Sequence, residues 1–356
     1  MYAIFFIYIY IKKIAYIEFN LVHDENQPVF YYIANKLNYE IDFYIPKINS
    51  KRGVFCKCNN VNVFIIDYKN PHAPIRSPPL LIEKKWETYD LIIMGTGEPT
   101  DRIQKFISIK NKNKSMIIHN YHKQYDTLPF KTILLADFIK KKFNAINSIV
   151  INPFYYGEIS IDQKPNTKIF CIQGNFQSKK RNYNSLIEAI LQLKHDGLTS
   201  NDFKIEIIGR YNRKNIKWHN FGTEGELFDK TIIKLKIDDF FNRPDKEYMY
   251  PEYLDKMINS RYILSLVDNT YSHKFFSNSL TSSITLGIGC LCIPVINNKL
   301  AELYNIDFGY HYENNDLYSA MKEAIKCSND DIFLNKLLNY KNKYLDKSVN
   351  EFKKLF

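Results

Sequence analysis

The stretch that decides the fold is IFCIQGNFQSKKRNYNSLIEAI, residues 169–190. It opens with a short apolar run, passes through Gly174 and the basic triplet at residues 179–181, and continues with apolar residues at helical spacing. A buried strand that ends at a glycine turn and leads into a helix is the repeating unit of parallel α/β sheets. The free N–H groups at such a helix start favour an anion, and the geometry suits a diphosphate; a solvated basic loop after the strand is the alternative.

The same alternation of short apolar and amphipathic segments extends over most of the chain, in two successive sets. The first set predicts strands at residues 14–20, 41–45, 61–68, 91–95 and 116–119, and helices at 29–37, 102–109 and 132–144. The second predicts strands at 168–172, 204–208, 216–219, 262–267 and 291–296, and helices at 183–194, 251–260, 283–289, 316–326 and 331–344. We therefore expect an α/β fold of two doubly wound, Rossmann-like domains with a C-terminal helical tail.

The length of 356 residues exceeds what one hydrophobic core usually supports, which also favours two domains. The turn-rich segment at 152–166 breaks the periodicity, so the boundary is placed there. We predict a first domain at residues 1–155, a second at 156–335 and the helical tail at 336–356.

Charge and cysteine usage narrow the class of protein. The 49 Lys and Arg residues against 38 Asp and Glu residues give a net charge of +11, which favours nucleotides, sugar phosphates, nucleic acid or an anionic membrane face. The six cysteines include no CxxC pair, which fits reduced thiols and a cytoplasmic location. The apolar run at residues 1–11 is shorter than the roughly 20 residues that span a bilayer, so an anchor, a strand and an upstream start all stay open.

A second candidate anion site is the stretch HKFFSNSLTSSI at residues 273–284, which also leads into a predicted helix. Ser282 and Ser283 offer hydroxyl and N–H groups at the helix start, and Lys274 adds a positive charge. The serines either cap the helix or hold a phosphate.

Together these stretches resemble the GT-B glycosyltransferases, especially the glycosyltransferase family 4-like group. The resemblance covers most of the chain and is strongest at residues 168–306, where the order and spacing of the motifs carry it. It implies two Rossmann-like domains that face each other across a cleft, with a nucleotide diphosphate sugar bound by the second domain. The residues predicted to bind the donor, from the two stretches and the resemblance together, are Gly174, Asn175, Lys180, Arg181, Lys274, Ser282 and Ser283.

The sequence departs from the family pattern at two places. Asn175 stands where an arginine is usual, and the Glu-x7-Glu pair that contacts donor sugar and ribose is absent, with Thr281, Ser282 and Ser283 standing near its position. Two alternatives therefore stay open: a nucleotide-sugar epimerase of the same architecture, and a non-catalytic nucleotide- or carbohydrate-binding protein.

The first half supplies the candidate catalytic residues. His119 ends the stretch MIIH at 116–119, which looks like the family's strand that ends in a histidine at the cleft; a core histidine is the alternative. Asp24 lies in the acidic loop after the first predicted strand, where a carboxylate would act as general base if the enzyme inverts; a solvated turn is the alternative.

These interpretations predict a metal-independent glycosyltransferase without a cofactor, because no Asp-x-Asp motif occurs in the chain. The donor would be a nucleotide diphosphate sugar, and the acceptor a hydroxyl of a glycan or a lipid-linked glycoconjugate. Peripheral contact with an anionic membrane is a further expectation. Nucleic acid is not expected as a partner, since no stretch interleaves aromatic residues with arginine as single-strand binders do.

Overall fold

The computed structural model describes residues 10–20, 23–66, 86–96, 103, 106–174, 176–209, 222–244, 248–268, 273–313 and 316–356. Within these ranges the chain forms one parallel sheet of seven strands and a second of six, with helices around both.

The first sheet has the strand order β3-β2-β1-β4-β5-β6-β7, and every neighbouring pair is parallel. Its strands are β1 (Lys13–Ile17), β2 (Glu40–Pro46), β3 (Asn62–Ile66), β4 (Leu91–Met94), β5 (Lys114–Ile118), β6 (Lys131–Leu134) and β7 (Ser148–Val150). The helices between them include α1 (Gln27–Lys36), α2 (Lys47–Arg52) and α3 (Asp137–Phe143). The strand order reverses between β1 and β4. The loops after these two strands therefore run in opposite directions and leave a crevice between them.

The second sheet has the order β10-β9-β8-β11-β12-β13 and is also parallel throughout. Its strands are β8 (Ile169–Gln173), β9 (Lys204–Ile208), β10 (Phe241–Asn242), β11 (Tyr262–Leu264), β12 (Ile293–Asn297) and β13 (Tyr310–Tyr312). Its helices are α4 (Tyr183–His195), α5 (Gly222–Lys234), α6 (Tyr250–Asn259), α7 (Ser282–Gly289), α8 (Asn298–Tyr304) and α9 (Leu317–Lys326). Here the order reverses between β8 and β11.

The central strands are buried on both faces, as helices on each side of a parallel sheet require. All four residues of β4 and all five of β12 are buried. This burial explains why the strand sequences read as continuous apolar runs and were predictable.

One predicted helix is wrong. Residues 132–144 are not a single helix: they begin inside β6 and continue into α3. The short apolar run Thr132-Ile133-Leu134 fits a buried strand and a helix equally well by periodicity, and the sheet decides between them. The predicted strand at 216–219 and the predicted donor residue Asn175 lie outside the described residues.

A long C-terminal helix, α10 (Asp331–Phe352), returns to the first domain. The backbone N–H of Asn152 donates to Ser348 Oγ at 2.9 Å, and Lys347 Nζ lies 2.6 Å from Asp137 Oδ1 on α3. Because α10 follows the second sheet and contacts the first domain, it fastens the two domains together. The first sheet ends at Val150 and the second begins at Ile169; the domain limits at 155/156 and 335/336 stay predictions.

Among the described residues, no helix has the length and apolar character needed to cross a membrane. Most of the apolar run at 1–11 lies outside the described residues. Its last two residues, Tyr10 and Ile11, are exposed, and the Tyr10 hydroxyl donates to Asp90 Oδ1 at 2.6 Å.

Candidate active site

A cavity of about 360 Å³ lies where the carboxyl ends of both sheets meet. Loops that follow β1, β5, β8 and β9 line it, together with the starts of α6 and α7. Parallel sheets place ligands at this edge, so the cavity is the candidate site. The residues around it include His23, Asp24, Glu25, Arg52, His119, Gln173, Gly174, Lys180, Arg181, Gly209, Tyr248, Tyr250, Tyr253, Lys274, Thr281, Ser282 and Thr285.

Two glycines bring bare backbone to the cavity on the second domain. Gly174 has a φ of 95° and Gly209 a φ of 131°, values that side chains with a Cβ rarely adopt. A Cβ at Gly209 would lie 2.5 Å from the carbonyl oxygen of Gly174, so no larger residue fits. The strand ends of β8 and β9 can therefore approach each other and a ligand closely.

Arg181 joins the two candidate anion-binding stretches. Its guanidinium is buried; one of its NH2 groups donates to the carbonyl oxygen of Gln173 and, at 2.9 Å, to Ser283 Oγ on α7. The end of β8 and the start of α7 are thus held by one side chain. Arg181 and Ser283 are both predicted to bind the donor phosphates; in the structure the Ser283 hydroxyl is buried and bonded to Arg181.

The start of α7 does reach the cavity through Ser282. Its hydroxyl donates to Gln173 Oε1 at 3.3 Å, and the preceding residue Thr281 makes no side-chain capping bond to the helix. This end of α7 therefore lines the cavity without a side-chain cap from Thr281, which suits an anion.

Positive charge is concentrated beside these two stretches. Partial burial, with the nearby cations of Lys274 and Arg181, lowers the pKa of Lys180 to about 8. Three like charges that repel one another become more stable when an anion lies among them. The predicted donor residues Lys180, Arg181 and Lys274 are therefore brought together, with Gly174 and Ser282 alongside.

The first domain contributes a different chemistry, centred on His23. This residue has a φ of 71°, an uncommon conformation for a residue other than glycine, and such strain is found most often at functional sites. Its imidazole stacks on that of His119, with ring centroids 3.9 Å apart, and its Nδ1 lies 3.5 Å from Glu25 Oε1. The loop thus presents an imidazole backed by a carboxylate.

Burial and mutual contact set the pKa values of His23, His119 and Glu25. Burial alone would lower the pKa of His23, but the contact and charge of Glu25 outweigh it and raise the pKa. Burial, together with the charge of His23, lowers the pKa of His119 to about 3, so His119 is neutral near pH 7. Burial alone would raise the pKa of Glu25, but its contact with His23 and the charge of His23 outweigh burial and lower it. At neutral pH Glu25 is an anion beside an ionisable imidazole.

Asp24, the predicted general base, is engaged within the protein. Its carboxylate is buried, pairs with Arg52 at 2.9 Å and accepts a hydrogen bond from the Tyr250 hydroxyl at 3.1 Å. Burial raises its pKa, although Arg52 opposes the shift. The side chains of its neighbours His23 and Glu25 are less buried than that of Asp24.

The two domains contact each other at two places. The N–H of Tyr121 donates to the Asn278 carbonyl at 3.0 Å, and Ser279 Oγ donates to Asn120 Oδ1 at 2.8 Å. Elsewhere, Lys57 Nζ lies 3.0 Å from Asp255 Oδ1, and both side chains of this pair are exposed.

Several lining residues were missed by sequence reasoning. Arg52, Gln173 and Tyr250 all belong to the site, yet Arg52 ends a helix that carries no motif. Gln173 was detectable as the polar last residue of an apolar strand. Tyr250 precedes Pro251 at a predicted helix start, which was the one available signal for it.

Comparison with solved structures finds the same architecture over nearly the whole chain. A glycosyltransferase from Rickettsia africae ESF-5 matches with a TM-score of 0.61 at 12% identity, covering 97% of each chain. Anabaena HepE, solved in complex with UDP, matches with a TM-score of 0.60 at 12% identity, covering 96% of this chain and 98% of that one. The chain has the GT-B fold.

The predicted architecture of two Rossmann-like domains across a cleft is therefore confirmed. Sucrose-phosphate synthase from Thermosynechococcus elongatus shares this GT-B fold with a TM-score of 0.50 at 11% identity, covering 97% of this chain and 95% of that one. No protein-family model matches the sequence, and no curated protein matches it.

A buried carboxyl below the His23 loop gives a pH-dependent stability. Glu18 follows β1 and accepts bonds from the N–H of Asn20 at 2.8 Å and from Thr96 Oγ1 at 3.2 Å. Burial raises its pKa from 4.5 to about 8. Between these values the folded protein holds a proton that the unfolded chain has released. Its contribution therefore makes the free energy of unfolding fall as pH rises, by up to about 1.4 kcal/mol per pH unit.

The substitution Glu18→Gln should remove this contribution. The free energy of unfolding of the variant should therefore rise relative to that of the wild type as pH rises. Urea unfolding at about pH 6 and about pH 8.5 measures it. Glu40→Gln, at an exposed carboxylate on β2, is the matched control and should keep the wild-type pH dependence. An identical pH dependence in Glu18→Gln and the wild type would contradict the assignment.

Proposed function

We propose that this protein is a glycosyltransferase that moves a sugar from a nucleotide diphosphate sugar to a hydroxyl of a glycan or glycoconjugate. The observation that carries the proposal is the pairing of two unlike walls across one cavity. One wall gathers Lys180, Arg181, Lys274 and the start of α7; the other presents His23 with Glu25. Negative charge develops on the departing diphosphate, and the cationic wall would stabilise it in the transition state.

The solved relatives indicate which donor to test first. HepE was crystallised with UDP and also with UDP and glucose. We therefore propose a UDP-hexose as the donor class, with its diphosphate against Gly174, Lys180 and Ser282. The bare backbone at Gly174 and Gly209 supports this placement, because it lets phosphate oxygens approach the strand ends.

His23 is the proposed general base. If its Nδ1–H donates to Glu25, Nε2 carries the lone pair and takes the proton of the acceptor hydroxyl. The acceptor oxygen then forms a bond to the anomeric carbon while the bond from that carbon to the diphosphate oxygen breaks, and the diphosphate leaves with the electron pair. Glu25 stabilises the imidazolium that forms. This displacement would invert the anomeric configuration.

Donor binding by this wall needs no metal ion in the proposal, since lysine, arginine and helix N–H groups supply the positive charge. We further propose a cytoplasmic protein that contacts an anionic membrane peripherally when its acceptor is lipid-linked. The net charge of +11 supports that contact.

The proposal predicts binding and turnover with a nucleotide sugar in the presence of chelator. UDP-glucose and related UDP-hexoses at about 100 times their Kd should stabilise the protein by about 2.7 kcal/mol in thermal unfolding. Release of UDP from the bound donor, with an acceptor glycan present, should continue in EDTA. Binding without any release of UDP would favour the non-catalytic alternative, and a requirement for manganese or magnesium would contradict the metal-free site.

Adjacent lysines offer a matched test of the phosphate wall. Lys180 lines the cavity, whereas Lys179 is exposed and does not line it. Lys180→Ala should weaken UDP binding by about 1.5 to 3 kcal/mol, a typical value for a hydrogen bond to a charged group, and leave uridine binding unchanged. Calorimetry measures both ligands, with Lys179→Ala as control. Equal losses for UDP and uridine would show that Lys180 does not contact phosphate.

The base can be tested with a substitution that suits its backbone. Asparagine tolerates the left-handed conformation of His23, so His23→Asn removes the imidazole with little strain. The transfer rate kcat should fall about 10²- to 10⁴-fold while UDP affinity persists. His122→Asn changes an exposed histidine outside the cavity and should keep the wild-type rate. A His23→Asn variant that transfers sugar at the wild-type rate would exclude the base.

A further inference from the structure

We infer that His119 is a positioning residue that fixes the ring plane and tautomer of His23, so that one defined nitrogen of His23 meets the acceptor. The inference rests on the proposed function, because it explains how the base of that reaction is held. In this inference His119 acts through His23, whereas its place in the sequence predicted a direct contact with substrate.

His119 is anchored to the sheet, whereas His23 lies on a loop. His119 directly follows β5, and its Nε2 lies 3.3 Å from the carbonyl oxygen of Gly95, which directly follows the neighbouring strand β4. Since a carbonyl oxygen only accepts, Nε2 carries the proton in this contact. Rotation of the ring would break this bond, so the plane of His119 is set by two adjacent strands.

The anchoring strand end is itself tightly packed. A Cβ at Gly95 would lie 2.3 Å from Glu18 Oε2 and 2.6 Å from the Tyr16 hydroxyl oxygen. Both neighbours are fully buried. The carbonyl that orients His119 therefore belongs to a part of the core with no space to shift.

His23 needs a second restraint, which the stack supplies. Its 3.5 Å contact with Glu25 is longer than a normal hydrogen bond, so this contact alone holds the ring weakly. The imidazole of His119 lies parallel to that of His23 within 29°, with centroids 3.9 Å apart. Together the stack and the Glu25 contact define both the plane of the ring and the direction of Nδ1.

The charges around His23 agree with this arrangement. Glu25, Glu18 and Asp24 are the acidic groups that act on His23, and His119 is the ring that faces it. Because burial keeps His119 neutral near pH 7, its ring face lies beside the imidazolium of His23 without repelling it. A cationic His119 would oppose proton uptake by His23.

The test compares His119→Phe, which keeps a flat ring, with His119→Ala, which removes it. His311→Ala is the matched control. His311 lies on β13, and its Nε2 also contacts a backbone carbonyl, that of Phe308 at 3.0 Å. Side-chain ¹⁵N NMR of the whole chain without substrate, recorded above the pKa of His23 so that its ring is neutral, reports the tautomer of His23. Wild type and His311→Ala should each show one tautomer with the proton on Nδ1, and His119→Ala a mixture of two. His119→Phe keeps the flat ring but loses the bond to Gly95, so its mixture should lie between those of wild type and His119→Ala.

The same variants should separate in kinetics. His119→Ala should lower kcat by about 10- to 100-fold, as expected for a displaced catalytic group, with KM within about twofold of the wild-type value. His119→Phe, which keeps the flat ring without the bond to Gly95, should recover part of the rate. His119→Leu, which fills the space without a flat ring, replaces the alanine variant if the latter melts early.

An unchanged single tautomer of His23 in both His119→Ala and His119→Leu would overturn the inference. So would a raised KM with unchanged kcat, which would show that His119 binds substrate directly. A His119→Phe variant as impaired as His119→Ala would also overturn it, since the flat ring would then not be what matters. Absence of sugar transfer by the wild type would reject the proposed function alone, because the tautomer is measured without substrate.

Discussion

One buried guanidinium holds together the part of the molecule on which the proposed donor site depends. Arg181 donates to the carbonyl of Gln173 at the end of β8 and to the hydroxyl of Ser283 on α7. These contacts fix the glycine turn and the helix start relative to each other, although about 100 residues separate them in sequence. Lys180 and Ser282 therefore line the cavity from backbone whose position is already fixed. Such a site can bind phosphate without rearranging.

The two walls of the cleft use charge in opposite ways. In the second domain, cations gather and the charge of an incoming diphosphate would relieve their repulsion. In the first domain the carboxylates have partners within the protein: Asp24 pairs with Arg52, and Glu25 lies beside the imidazole of His23. The first wall is thus suited to move a proton and the second to bind an anion. Transfer of a sugar from a diphosphate leaving group needs both of these functions.

The sequence predicted the fold well because both sheets are parallel and buried, so each strand appears as a continuous apolar run. It failed at residues 132–144, where a four-residue strand and a short helix share one apolar segment. In the site, the cations at 180 and 274 and the glycine at 174 were predictable from their place after strands. The ion pair of Asp24 with Arg52, and the bond of Ser283 to Arg181, join residues that are distant in sequence, so no local pattern could indicate that these side chains are already engaged.

A crystal structure of the protein with UDP would show whether the second domain binds a diphosphate between the end of β8 and the start of α7, as we propose. We expect the diphosphate beside Gly174, with phosphate oxygens within hydrogen-bond distance of Lys180 Nζ and of Ser282, and with Arg181 still bonded to Ser283. A diphosphate bound to the first domain, or bound in the cleft away from both Lys180 and Ser282, would exclude this site.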